Sequence, residues 1–396
     1  LRGAGRGACA DAAETMAGGE RRVGLLFPDQ GSCDMTMLCA LEEELPSVRA
    51  LLEHFREALG FDPFLGPLIS EASDLCRNGT ESWLQETRLC QPTMYLCQVA
   101  AVKKLAAQDP VAVQQCRAVA GLSLGAYAAL TTAGVWDFQA GLTLAQLRGE
   151  AMQEAAAQVP QGMLAVVGLK ESVLEGLCTA SKASDDDVCQ ISHCLFPMGY
   201  ACAGSSQAVG RLYEKAKATE GCRQAMMLKC MGAFHTPLML PAKDKLRRAL
   251  KDVEGAMKPP RCDVYLGLGG TQVRVGPETA PADIVGILSE QLTSCIQWEQ
   301  TVRAMIADRI TEFYECGPLQ QLRGMIRFID APTFNATTCM DIYGPWAAAA
   351  NRADSSAGAA GARLSHPLQG QLFATTGGRE DAADEKAPAA PRGRGS

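Results

Sequence analysis

One junction constrains this chain more than any other feature. The apolar run Ala118-Val119-Ala120 breaks into Gly121-Leu122-Ser123-Leu124-Gly125, and small residues then continue to about Gly134. The pattern predicts a strand, a sharp turn and a helix. Glycines on both sides of the serine permit the tight reversal, which leaves the hydroxyl at the tip with a helix N-terminus behind it. Val23-Gly-Leu-Leu-Phe27, ended by Pro28, reads as a second buried strand by its length and flanks. Strands feeding helices in this way predict an α/β fold, with a hydrolase-like core built on a parallel sheet.

The rest of the chain fits around that core. Residues 35–60 read as helical, and Gln91-Pro92 opens an apolar stretch through Leu105 with the proline in the first turn. Asp137 is placed to cap a helix over about 138–158, stopped by Pro160. From Met163 to Lys229 the order is strand, helix, strand, strand, helix, strand, which predicts an inserted ferredoxin-like α+β subdomain. A helix over 238–254 and strands near 263–266 and 311–315 return to the main body. The expected domains are a core from 23–160 and 229–330, and an insert at 161–228. Residues 1–22 are expected to be disordered or a presequence remnant, and 331–396 a mostly disordered tail rich in Ala, Gly, Arg, Asp and Pro.

Composition removes several function classes. The chain has 396 residues, 47% hydrophobic and 20% charged, enough apolar material for a large core. A net charge of −7 and only 6% aromatics argue against a nucleic-acid partner. Seventeen scattered cysteines contain no Cys-x-x-Cys, and there are four histidines, so no metal site is expected; the thiols fit a reducing compartment. No apolar run approaches the roughly 20 residues of a membrane helix, so no membrane association is expected.

Ser123 is the candidate nucleophile, and it needs a base. Of the four histidines, His54 lies among charges and His366 in the tail, while His193 reads as a packed or surface residue of the insert. His235 sits at a junction between Met231-Gly-Ala-Phe234 and Thr236-Pro237. By position it is equally a catalytic base or a hydrogen-bonded loop histidine. Arg148 falls on the apolar face made by Gly141, Leu144, Leu147, Ala151, Met152 and Ala155. A guanidinium directed inward needs an anion, either an internal Asp or Glu or a substrate carboxylate. Gln30-Gly31-Ser32 follows the first strand, where a backbone N–H can meet a reacting oxygen. Gly267–Gly270 is not followed by a Lys-Ser/Thr helix, which rejects a phosphate loop.

Taken together these segments resemble the malonyl-CoA:acyl-carrier-protein transacylase family. The marks are Phe27-Pro-Asp-Gln-Gly-Ser32, Gln91-Pro92, Ala120-Gly-Leu-Ser-Leu-Gly125, Leu147-Arg-Gly-Glu150, Gly232-Ala-Phe-His-Thr-Pro237, Gln291 ahead of Gln297-Trp298, and Glu315-Cys-Gly-Pro318. The resemblance spans about Val23 to Ile329. It implies that Ser123 attacks the malonyl thioester of malonyl-CoA, with His235 as base oriented by the backbone carbonyl of Gln291. It further implies an oxyanion hole from the N–H groups of Gln30 and Leu124, and a malonyl carboxylate held by Arg148. The acceptor is the phosphopantetheine of acyl carrier protein, in service of fatty-acid synthesis, with no permanently bound cofactor and a monomeric enzyme. Six features depart from the family pattern, among them Ala126 where an acid is usual, Cys33 where a glutamine is common and Gly267–Gly270 where asparagine is common. Asp29 stands for a usual glycine, Leu122 for a usual His or Phe, and His193-Cys-Leu-Phe-Pro197-Met-Gly199 for an asparagine-containing stretch. Two alternatives stay open, a serine esterase or thioesterase of α/β-hydrolase type and a non-catalytic scaffold that binds the carrier protein. The expected compartment is the plastid stroma, with the mitochondrial matrix or cytoplasm as alternatives.

Overall fold

The structure, a computed structural model, describes residues 21–30, 45–60, 86–230, 232–268 and 271–340. In chain order the elements are β1 (Val23–Phe27), α1 (Pro46–Leu59), α2 (Thr87–Gln108), α3 (Pro110–Gln114), β2 (Ala118–Gly121), α4 (Gly125–Thr132), α5 (Phe138–Ala156), β3 (Gln161–Val167), α6 (Glu171–Ser181), β4 (Cys189–Phe196), β5 (Gly199–Ser205), α7 (Ser206–Ala218) and β6 (Gln224–Met227). After a 3₁₀ turn (Pro237–Met239) follow α8 (Leu240–Glu254), β7 (Asp263–Leu268), β8 (Thr271–Val275), α9 (Pro281–Gln291), β9 (Ile296–Gln297), α10 (Trp298–Ala307), β10 (Glu312–Cys316), α11 (Gln321–Ile329), α12 (Ala331–Asn335) and β11 (Thr337–Met340).

Six strands form the main sheet in the order β11-β10-β1-β2-β7-β8. Neighbours are parallel up to β7, and β8 returns antiparallel as a hairpin. β1 sits centrally with Leu25, Leu26 and Phe27 inaccessible to solvent, as expected of a parallel strand covered on both faces. The register pairs Phe27 with Gly121 and Leu26 with Glu315. The C-terminal ends of β1, β2 and β10 therefore open along one edge, where α/β sheets place their ligands.

A second sheet runs β6-β3-β5-β4-β9. Its β3–β5, β3–β6 and β4–β5 pairs are antiparallel, and β9 joins β4 in parallel, with His193 opposite Ile296. The strand from Ile296 thus ties the segment containing His193 to a part of the chain a hundred residues later.

Four expectations change. Pro92 does not open a helix: α2 begins at Thr87 and carries the proline inside. Nearly every residue from Leu89 to Ala101 is buried, and that burial outweighs the one backbone hydrogen bond the proline forfeits. Leu147 lies off the buried face of α5 and is 39% exposed; the face follows Gly141, Leu144, Ala145, Arg148, Met152 and Ala155. Residues 331–340, assigned to a disordered tail, form α12 and β11, and β11 covers the otherwise open edge of β10. The hairpin strand β8 has no counterpart in the sequence reading. Residues 35–44 of the expected first helix, the extension at 1–20 and the tail from 341 lie outside the described residues. Among the described residues no cysteine is in a disulfide and no cluster of three or more His, Cys, Asp or Glu is arranged to hold a metal ion. No described helix is long and apolar enough to cross a membrane.

Candidate active site

Ser123 stands between β2 and α4 with φ +52, a left-handed conformation that an L-residue adopts only under constraint. The constraint is close packing. A Cβ on Gly125 would lie 2.2 Å from the Phe27 carbonyl oxygen, and one on Gly121 2.1 Å from the Ala126 nitrogen. Glycine at both places lets the turn close against β1 and holds the hydroxyl at the sheet edge.

His235 joins this serine from 112 residues away: Ser123 Oγ lies 2.8 Å from Nε2. The histidine also has a left-handed backbone, φ +61, and is 1% exposed. Its Nδ1 is 2.7 Å from the Gln291 carbonyl at the end of α9. A carbonyl only accepts, so Nδ1 carries the hydrogen and Nε2 of the neutral ring has a free lone pair for the serine proton. Burial holds the His235 pKa well below its ordinary value, helped by His193 and Arg148, while the Gln291 carbonyl works the other way. The ring is therefore neutral and able to accept a proton at neutral pH.

Arg148 extends from α5 and is fully buried. Its Nη2 donates to Ser123 Oγ at 3.0 Å, and the guanidinium carbon lies 5.6 Å from the Tyr127 ring centroid. Nε and Nη1 are buried with no hydrogen-bond partner. Burial lowers the Arg148 pKa, and the neighbouring Tyr127 and Asp29 side chains work against that shift. A guanidinium with vacant donors beside a serine hydroxyl can receive an anion, since leaving those donors unpaired costs free energy.

The loop after β1 completes the site. Gln98 Nε2 donates to the Pro28 carbonyl at 2.6 Å, and Gln91 Nε2 donates to Gln30 Oε1 at 3.0 Å. Both glutamines come from α2, so the long buried helix fixes Gln30. The N–H of Gln30 and that of Leu124 converge on one acceptor, Asp29 Oδ1, at 2.7 and 3.4 Å. Burial pushes the Asp29 carboxyl up; the Arg148 charge, the two N–H groups and the Ser123 hydroxyl pull against it.

The structure thus brings Ser123, His235, Arg148, Gln30, Leu124 and Gln291 into one site. It also adds His193, which the sequence reading set aside. His193 packs edge-on against His235, ring centroids 4.8 Å apart. Its Nδ1 donates to Ser192 Oγ at 2.9 Å, since that hydroxyl spends its own proton on the Ala201 carbonyl. Burial lowers the His193 pKa to about 4, so it too is neutral. The available signal was its place on an apolar strand, but the pairing of β4 with β9 is invisible in the local pattern. His54 lies on α1 with Nδ1 facing the Ala50 carbonyl and takes no part; His366 is outside the described residues.

Several known proteins are similar to this chain. The family described as acyl transferase domain matches residues 26–322. The human mitochondrial malonyl-CoA-acyl carrier protein transacylase is 33% identical over 328 residues, covering 80% of each chain. The crystal structure of malonyl-CoA:acyl carrier protein transacylase from Xanthomonas oryzae is 29% identical, covers 84% of this chain and 98% of that one, and superposes with a TM-score of 0.71. A type II polyketide-synthase acyl-carrier protein in complex with its malonyl-transacylase is similar at 27% identity and TM-score 0.69, covering 80% and 94%.

Proposed function

The chain belongs to the acyl transferase family, and from that membership we propose that it transfers the malonyl group of malonyl-CoA to the phosphopantetheine thiol of acyl carrier protein through a malonyl-Ser123 intermediate, supplying fatty-acid synthesis. One observation carries the choice of donor: the buried guanidinium of Arg148 touches the nucleophile at 3.0 Å and keeps Nε and Nη1 unpartnered. A malonyl carboxylate lies two carbon–carbon bonds from the reacting carbonyl, so it meets this guanidinium while the carbonyl meets Ser123.

The reaction runs in two halves. His235 Nε2 takes the Ser123 proton as Oγ adds to the thioester carbonyl. The oxygen turns negative at the N-terminus of α4, where the N–H groups of Gln30 and Leu124 receive it. The tetrahedral intermediate collapses, the His235 proton passes to the departing sulfur, and coenzyme A leaves. The carrier thiol then gives its proton to His235 and attacks the malonyl ester, and Ser123 is regenerated as His235 returns that proton to the departing Oγ. His235 keeps its orientation throughout, because the Gln291 carbonyl accepts from Nδ1 in both protonation states. No step calls for a permanently bound cofactor, and one monomer contains every group used.

The hydrolase alternative would lead one to look for an acidic side chain behind the histidine; here a backbone carbonyl fills that place. We read 161–228 as an inserted α+β unit that delivers His193 to the site. For compartment, the mitochondrial matrix replaces the plastid stroma as the preferred reading: a relative of 33% identity is named mitochondrial, and nothing found favours a plastid.

Intact-mass measurement after mixing with malonyl-CoA tests the proposal. The wild-type protein should gain one malonyl group and lose it on addition of carrier protein bearing phosphopantetheine. Ser123→Ala should gain none, and an adduct persisting in that variant would remove Ser123 from the chemistry.

A further inference from the structure

The two N–H groups assigned to the oxyanion are already engaged in the resting protein. Gln30 N–H donates to Asp29 Oδ1 at 2.7 Å, and Leu124 N–H reaches the same oxygen at 3.4 Å. One carboxylate oxygen meeting both donors holds the place that a thioester carbonyl oxygen must take. The same carboxyl group lies within the influence of the Ser123 hydroxyl and the Arg148 charge, both of which favour its ionised form, whereas burial opposes ionisation.

The backbone beneath it is pinned. Asp29 N–H donates to Gln321 Oε1 at 3.0 Å, and the Pro28 carbonyl accepts from Gln98 at 2.6 Å. With the backbone at residues 28 and 29 held in this way, the site clears by rotation of the Asp29 side chain.

We propose that the Asp29 carboxyl group is a built-in occupant of the oxyanion hole, which an acyl donor must displace before Ser123 can react, so that this side chain sets the enzyme's apparent affinity for its donors. The inference rests on the reading of Gln30 and Leu124 as oxyanion donors. Its consequence differs from that of Arg148. Expelling the same carboxylate precedes reaction with any donor, so removing it accelerates all donors by one factor and leaves their ratio unchanged. Arg148 touches the donor's own carboxylate and changes the ratio.

The test uses the full chain as wild type, Asp29→Ala and Asp29→Asn. Two readouts are taken: the second-order rate of Ser123 sulfonylation by phenylmethanesulfonyl fluoride, which needs no acyl-CoA, and kcat/KM for malonyl-CoA and acetyl-CoA. Hydrogen bonds to two backbone donors, one short and one long, are worth about a tenfold change. D29A should therefore react about tenfold faster in all three assays, through KM with the two acyl-CoA donors. D29N, which keeps an acceptor oxygen without charge, should fall between D29A and wild type. A D29A protein that is folded by near-ultraviolet circular dichroism but sulfonylated no faster than wild type overturns the proposal, as does a slower one. If D29A does not fold, the near-isosteric D29N decides: it must still exceed wild type. Faster sulfonylation without malonyl transfer in any variant would leave the role of Asp29 standing and remove the donor assignment.

Discussion

Replacing Arg148 separates a structural guanidinium from a substrate receptor. In wild type the side chain is fully buried, Nη2 donates to Ser123 Oγ at 3.0 Å, and Nε and Nη1 have no partner. Arg148→Ala would force the malonyl carboxylate into the same site unpaired. Stranding one charge of a buried pair costs about 3–5 kcal/mol. At about 1.4 kcal/mol per decade that is roughly a 10²- to 4 × 10³-fold loss in kcat/KM. An acetyl donor brings no carboxylate and loses only the Nη2–Oγ hydrogen bond, worth about 1 kcal/mol, less than a tenfold effect. The malonyl-to-acetyl preference should thus fall by about 10²-fold, read by single-turnover acylation of Ser123 with each donor. Arg148→Met adds a stability readout. It keeps most of the volume and deletes a buried cation with vacant donors, so the folded state should gain about 1 kcal/mol in denaturant titration while malonyl transfer falls. Equal losses with both donors, or a methionine variant that unfolds more easily than wild type, would refute the reasoning and make Arg148 a packing residue.

Two further outcomes follow from the titratable groups. Because His235 must be neutral to accept the serine proton and its pKa is held well below 6.5, kcat/KM should stay flat on acidification through that value and fall only at more acid pH; a midpoint at or above 6.5 in a malonyl-CoA pH profile would contradict the buried, neutral base. Glu315 is buried at the end of β10, where its carboxylate accepts from the N–H groups of Leu322 at 2.8 Å and Arg323 at 2.9 Å, and burial raises its pKa from 4.5 to about 7. The folded state then binds the proton more tightly than the unfolded chain, so this group's contribution falls as pH rises from about 4.5 to about 7, by up to about 3 kcal/mol. Glu315→Gln should flatten that part of the stability profile in urea titrations, and an unchanged slope would show that Glu315 is not its source.

Local sequence determined the parts of this protein that depend on covalent geometry and periodicity. The turn at Ser123 was legible because only glycine fits at 121 and 125 between a strand and a helix. The inward direction of Arg148 followed from the helical repeat around Leu144 and Met152, although the same reasoning misplaced Leu147. His235 as the candidate base, with its Gln291 carbonyl, was reached through a family resemblance, because nothing local links residues 112 positions apart. Tertiary structure alone decided what meets what. Placing β1 beside β2 in parallel sets the Asp29 carboxylate against the Leu124 N–H, and pairing β4 with β9 anchors the strand whose His193 packs on His235. Burial across the whole molecule kept Pro92 inside a helix and drew residues 331–340 into order at a sheet edge. Such contacts are made through space, between segments whose own patterns are satisfied equally well by many partners. Only the single arrangement that packs all of them at once selects among those partners.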